Sequence, residues 1–268
     1  MSSEFHQGIV TTLKTNGRFE KVAYDSRGSR LLANIYRPEN SHERELPGVF
    51  IVHGGGLRGK STFKELQRQL RDRGMASFAY DTAGTGGSEG TRTQETLNSR
   101  LMDARASLEA FRKSVRLSKL GALGMSMGAD IAVNLTNSEG IDSLALLSAA
   151  AYPDVLRDDS LQLGFTRQIR QQAYDWSRES VFSTLRVYAD PVMALYGSED
   201  RIIPADVQAQ YREILEGGNP LNEFTLVDGA THNFLHAHTT AEARAREEII
   251  AHVARFSAIH LSPDNASN

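Results

Sequence analysis

Apolar positions along the chain fall into two rhythms. Short unbroken or alternating runs occur at 19–24, 30–36, 49–52, 76–80, 120–123, 144–147, 192–196 and 224–227, the pattern of strands. The first two flank Ser26-Arg27-Gly28-Ser29 and predict an antiparallel hairpin. Val49 to Val52 is apolar at every position, as a strand covered on both faces requires. Helical spacing fills the intervals between several of these runs. One helix is predicted from Phe63 to Arg73, ending at Gly74, and a second over 96–113, where Leu97, Leu101, Leu108 and Phe111 recur on one face. A third closes the chain over about 241–257. Strands alternating with helices predict an α/β fold: a mostly parallel central sheet with helices on both faces, in a single domain. In such sheets ligands gather at the carboxyl ends of the strands, so the chemistry is expected there.

Composition narrows the field of functions. The chain carries 30 Lys and Arg against 33 Asp and Glu, a net charge of −3, which offers no basic face for nucleic acid. With no cysteine, disulfides, thiolate nucleophiles and thiolate metal sites are excluded. The start, Met1 to Leu13, lacks a basic-then-apolar signal pattern, and no apolar stretch reaches a membrane-spanning length. The expectation is a cytoplasmic, enzyme-sized domain with no membrane partner.

Two strings match G-x-S-x-G, at Gly86–Gly90 and Gly124–Gly128. A nucleophile elbow needs a strand before the serine and a helix after it. Ser126 has both, in 120–123 and 129–135; Ser88 is followed by polar Thr91 to Gln94 and reads as a loop residue. A further string, Gly54 to Ser61, matches the phosphate-cradling G-x-x-x-x-G-K-S and would make the protein a nucleotide-binding NTPase, with Asp81 or Asp228 as the magnesium-site acid. Its first part, His53-Gly54-Gly55-Gly56, also reads as an oxyanion-hole loop, and that reading leaves the elbow explained.

A serine nucleophile needs a base and an orienting acid. His232 follows the last strand through Asp228-Gly229-Ala230-Thr231, and Asp200 stands just past 192–196, with Glu199 as the alternative acid. His232 and His236 are four apart and could seat a metal on a helix, but no H-E-x-x-H glutamate accompanies them, and no metal is expected. His53 reads as a support for its loop and Asp81 as a turn former.

The order Ser126, Asp200, His232 resembles that of the α/β-hydrolases. With His53-Gly54-Gly55, the turn Asp81 to Ser88, the elbow, Gly197 to Asp200 and Gly229 to His232, the chain is similar to the serine-aminopeptidase-like and esterase-like branch, including small cinnamoyl and feruloyl esterases and monoacylglycerol lipases. One position departs: many relatives carry arginine two residues after the aspartate, where this chain has Ala83. The resemblance implies oxyanion donors at the amides of Met127 and Gly55, with Gly56 as an alternative to Gly55. It implies no cofactor, and hydrolysis of a small-molecule carboxylic ester through an acyl-enzyme on Ser126. Thioesterase, acyltransferase and peptidase chemistry use the same parts. A non-catalytic receptor is disfavoured, because every position of the triad is present.

Residues 153–190, between two strands, are too long for a plain crossover and predict a small helical lid over the site. Phe165, Ile169 and Trp176 are the candidate substrate-binding residues, alongside Leu161, Tyr174 and Phe182; the alternative is that most of them bury the lid against the core. Arg157, Arg167, Arg170, Arg178 and Arg186 read as solvated, and acids match them in number, so the expected substrate is neutral with a small to medium acyl or aromatic group.

Overall fold

The computed structural model describes residues 9–16, 18–161, 165, 169, 174–235 and 240–262. Nine strands form one sheet: β1 (Thr11–Thr15), β2 (Phe19–Ser26), β3 (Ser29–Tyr36), β4 (Leu46–Val52), β5 (Ala76–Asp81), β6 (Leu117–Met125), β7 (Ser143–Leu147), β8 (Val192–Gly197) and β9 (Glu223–Val227). Their spatial order is β1-β2-β3-β5-β4-β6-β7-β8-β9. The predicted hairpin is β2–β3, closed through Arg27 and Gly28, both at positive φ. β3 meets β5 antiparallel, and from β5 through β9 every pair is parallel. The chain order reverses at β4, which lies between β5 and β6; the crevice at such a switch point opens beyond the carboxyl ends of the strands.

Helices with described bounds complete the layers: α1 (Lys64–Asp72), α2 (Leu97–Ser114), α3 (Met127–Leu135), α4 (Ser180–Val187), α5 (Ala205–Gly217) and α6 (Thr240–Leu261). Alternation along β4 sorts the two faces. Phe50 and Val52 join Phe78, Phe111, Ile131 and Tyr211 in one buried cluster, whereas Val49 and Ile51 join Phe63, Leu70, Leu123 and Phe256 in the other. A sheet buried on both sides is what the unbroken apolar runs demanded. Thr96 caps α2 through a reciprocal pair, Ser99 N–H donating to Thr96 Oγ1 at 3.0 Å and Thr96 N–H to Ser99 Oγ at 2.8 Å.

Three features depart from the expected elements. β1 has every residue exposed and so carries no core-facing pattern. β6 begins at Leu117, three residues earlier than its apolar run, because pairing with β4 extends into polar Ser118 and Lys119. The helix expected from Phe63 starts instead as a 3-10 turn over Gly59–Phe63 before α1.

Between β7 and β8 the described residues of 148–191 hold 3-10 turns at Asp154–Leu156 and Trp176–Arg178, followed by α4. Part of the expected lid, including Arg167 and Arg170, lies outside the described residues. Arg157 is not solvated as expected: its Nη1 donates to Asp130 Oδ1 on α3 at 2.9 Å, with the Asp130 side chain fully buried. Among the described residues no helix is long and apolar enough to cross a membrane.

Candidate active site

The turn between β6 and α3 is built from backbone crowding. Ser126 sits at φ 54° and ψ −121°, a conformation that costs a non-glycine residue energy. Its N–H donates to Leu147 O at 2.8 Å, tying the turn to the end of β7. A Cβ on Gly124 would lie 2.4 Å from Gly128 O, and one on Gly128 would lie 2.2 Å from Val52 O. Both glycines are therefore demanded by close approach of backbone to backbone. The consequence is a serine held at the head of a helix, with its hydroxyl turned into the crevice.

Two other strand ends meet it there. His232 Nε2 lies 3.1 Å from Ser126 Oγ, and His232 Nδ1 lies 2.9 Å from Asp200 Oδ2. The loops carrying these residues are joined by Glu199 N–H donating to Ala230 O at 2.9 Å. The Asp200 side chain is fully buried, while Glu199 is exposed. Asp200 Oδ1 accepts from the amides of Ile202 at 2.9 Å and Ile203 at 3.1 Å. Burial alone would raise this carboxyl, but the hydrogen bond and charge of His232, with the Ile203 and Ile202 amides, outweigh burial and hold it below its ordinary value. Ser126, His232 and Asp200 thus form one hydrogen-bonded line from hydroxyl to carboxylate. Chemically, such a line can remove a proton from the serine and stabilise the imidazolium that results.

The loop after β4 lies alongside. A Cβ on Gly54 would come within 3.1 Å of Ser126 Cβ, and one on Gly55 within 3.7 Å of Met127 Cε. The amides of Gly55 and Met127 donate to no acceptor among the described residues, so both remain available to an oxygen beside Ser126. His53 supports the loop as expected: Thr82 N–H donates to its Nε2 at 3.1 Å, so Nδ1 carries the proton and donates to Gly54 O at 2.6 Å. Burial, with the nearby Arg100 charge, pushes His53 down to about 3 and keeps the ring neutral.

The rest of the phosphate-loop string has a different employment. Lys60 forms a buried ion pair with Asp81, whose Oδ1 also accepts the Lys60 amide at 2.8 Å. Its ammonium is occupied, Gly59 to Ser61 open a 3-10 turn that leads into α1, and Asp81 is an ion-pair partner as well as a turn residue.

Two cavities meet at Ser126 and Gly55. The larger, about 410 Å³, runs past His53, Leu57, Phe63, His232 and Asn233. The smaller, about 170 Å³, is lined by Met127, Tyr152, Ile169, Trp176, Ile203 and Pro204 among others. Of the candidate substrate-binding residues, Ile169 and Trp176 line this smaller cavity. Phe165 is buried against Leu97, Leu156 and the cavity-lining Tyr152. Ile202 to Pro204 on the same wall were not among the expected residues, although an apolar pair one residue beyond the acid is a visible signal. The His232–His236 metal reading cannot be placed, because His236 lies, with His238, outside the described residues; the His232 ring itself is taken up by Ser126 and Asp200.

Residues 46–178 match the family model of serine aminopeptidase, S33, and the sheet with helices on both sides is the α/β-hydrolase fold. The matched region contains the elbow and the His53 loop, whereas Asp200 and His232 lie beyond it. Among solved structures, esterase Pf2001 of Pyrococcus furiosus is similar at a TM-score of 0.66 and 18% identity, covering 91% of this chain and 93% of that one. Est1E of Butyrivibrio proteoclasticus, solved with ferulic acid bound, is similar at 0.61 and 19%, covering 87% and 99%. The esterase EaEST of Exiguobacterium antarcticum is similar at 0.61 and 15%, covering 88% and 98%. At these identities the likeness is one of fold. No curated protein sequence matches the chain significantly.

Proposed function

We propose that the protein is a serine hydrolase that cleaves carboxylic esters of small to medium, neutral substrates. The observation that carries this reading is the continuous line Ser126–His232–Asp200, at 3.1 and 2.9 Å, beside two uncommitted amides. In the reaction Ser126 Oγ attacks the ester carbonyl while His232 Nε2 takes its proton. Asp200 holds the imidazole with Nδ1–H toward itself and stabilises the charged ring. The tetrahedral oxygen is received by the amides of Met127 and Gly55, each donor being worth about 10²–10³ in rate in comparable sites. His232 then returns the proton to the departing alcohol, leaving an acyl-enzyme on Ser126. Water, activated by the same imidazole, releases the acid.

Substrate size follows from the walls. A cavity of about 170 Å³ bounded by Ile169, Trp176 and Ile203 suits a short acyl or single-ring group. Ferulic acid, the aromatic acid held by Est1E, is of that order of size. A series of p-nitrophenyl esters of rising acyl length tests the reading. The expected kcat/KM optimum lies at short to medium chains, and an optimum at about twelve carbons or beyond would refute the size argument. Absence of turnover on every ester, with turnover on thioesters or peptides, would move the reaction to those bonds.

A further inference from the structure

Three consecutive glycines, 54–56, follow β4, and nothing of their own fixes their backbone. A Cβ at Gly56 would meet no atom within 4 Å, so even the surrounding walls leave that peptide room to turn. Whatever holds the loop must grip its carbonyls. Arg92 Nη2 donates to Gly55 O at 2.7 Å, and Arg100 Nη1 donates to Gly54 O at 3.3 Å, beside the His53 bond already described. The two guanidiniums come from separate places, a 3-10 turn at Arg92–Gln94 and the first turns of α2.

The placement is not explained by stability. Arg100 is only 3% exposed, and neither arginine has an ion-pair partner among the described residues; the nearby Glu95 is paired with Arg27. Arg92 Nη1 and Arg100 Nε are buried without a hydrogen-bond partner among those residues. Burying cations in this way costs free energy, and replacing such groups by apolar ones is often neutral or stabilising. Their one shared employment is the glycine loop.

A trans peptide carries its C=O and N–H on opposite sides of one rigid plane. Fixing Gly54 O therefore fixes the direction of the Gly55 N–H, and fixing Gly55 O fixes that of Gly56. A cation on the carbonyl also polarises the unit and strengthens the opposite N–H as a donor. We infer that Arg92 and Arg100 are positioning residues of the Ser126 site, which aim and polarise the loop amides toward the developing oxyanion by gripping the carbonyls behind them. The inference rests on the hydrolase reading above and supplies what the sequence of the loop itself lacks.

The test is the rate at which an alkyl fluorophosphonate labels Ser126, since its phosphoryl oxygen occupies the same hole without requiring the natural substrate. Arg92→Met and Arg100→Met are each expected to slow labelling and lower kcat about tenfold, with KM within about twofold, short of losing a whole donor. The Ki of a trifluoromethyl ketone should rise by the same factor as kcat/KM falls, because only the tetrahedral adduct uses the hole. A merely structural role would lower Tm and the active fraction but leave the Ki of the folded enzyme unchanged. Should Arg100→Met fail to fold, half-buried Arg92 still decides the matter. Labelling by wild type but not by Ser126→Ala, with both arginine variants within twofold of wild type, overturns the inference and leaves the hydrolase reading standing. A wild-type protein that takes no label overturns both.

Discussion

The two G-x-S-x-G turns invite comparison because they share a string and little else. In Gly86–Gly90 the serine is spent: Ser88 Oγ donates to Asp81 O at 2.8 Å and accepts from Leu32 N–H at 2.9 Å, stitching β3 to the end of β5. Gly86 and Gly90 turn the chain at positive φ. In Gly124–Gly128 the serine itself takes the positive φ, while the glycines admit backbone at van der Waals limits. One turn satisfies its hydroxyl with main chain, and the other offers its hydroxyl to an imidazole. The difference lies in what surrounds the string, since a strand in mid-sheet feeding directly into a helix leaves the intervening residue no relaxed conformation.

The sharpest way to break this contrast is to remove each hydroxyl. Ser126→Ala is expected to lower turnover on p-nitrophenyl acetate by about 10⁴–10⁶-fold, the scale seen when a serine nucleophile is lost. Residual turnover within a hundredfold of wild type would transfer the nucleophile elsewhere. Next in size is the carboxylate. Asp200→Asn should cost about 10²–10⁴-fold in kcat, because an amide neither stabilises the imidazolium nor selects its tautomer. Glu199→Gln should stay within about threefold, and reversed severities would assign the acid to Glu199.

A smaller effect probes how the helix behind Ser126 is anchored. Burial raises the Asp130 carboxyl to about 6, against the pull of Arg157. A carboxyl whose folded value exceeds its unfolded one binds its proton more tightly when folded, so this group opposes folding as pH rises from about 4 through 6. Arg157→Met removes the cation that restrains the shift. Its stability loss in urea unfolding should be about 3 kcal/mol near pH 8 and shrink toward pH 5, where Asp130 is protonated. A loss independent of pH would mean that the guanidinium acts by packing alone. The mildest change is Ser88→Ala. It should lower stability by about 1 kcal/mol, measured by thermal unfolding, with kcat within about twofold of wild type.

Much of this arrangement was legible in the sequence because it is local. The elbow announces itself in five residues, and Asp200 and His232 each follow an apolar run at a strand's end. What escaped lacks a local signature. β1 faces solvent along its length, so its residues show no alternation. The start of β6 at 117–119 is held by backbone pairing of Leu117 and Lys119 with β4, and polar Ser118 and Lys119 interrupt the apolar run. Arg92 and Arg100 reach loop carbonyls 37 and 46 residues away, which no periodicity reports. Arg157 looked solvated because its partner, Asp130, lies on a helix 27 residues earlier. Phe165 and Ile169 share one apolar pattern, yet one is packed inside and the other faces the cavity; spacing marks a face as buried without saying against what.

The place of β9 in the sheet carries a consequence for how the protein fails. It is the last strand in the spatial order, paired only with β8, and Leu226 on it is 48% exposed. His232 hangs from its carboxyl end, whereas Ser126 is anchored mid-sheet between β4 and β7. Edge elements open at lower free energy than central ones. Loosening that single strand would carry the imidazole away from a nucleophile turn that is still intact. Heat inactivation would then begin as a fraying of the margin, reversible on cooling, well before the sheet itself melts.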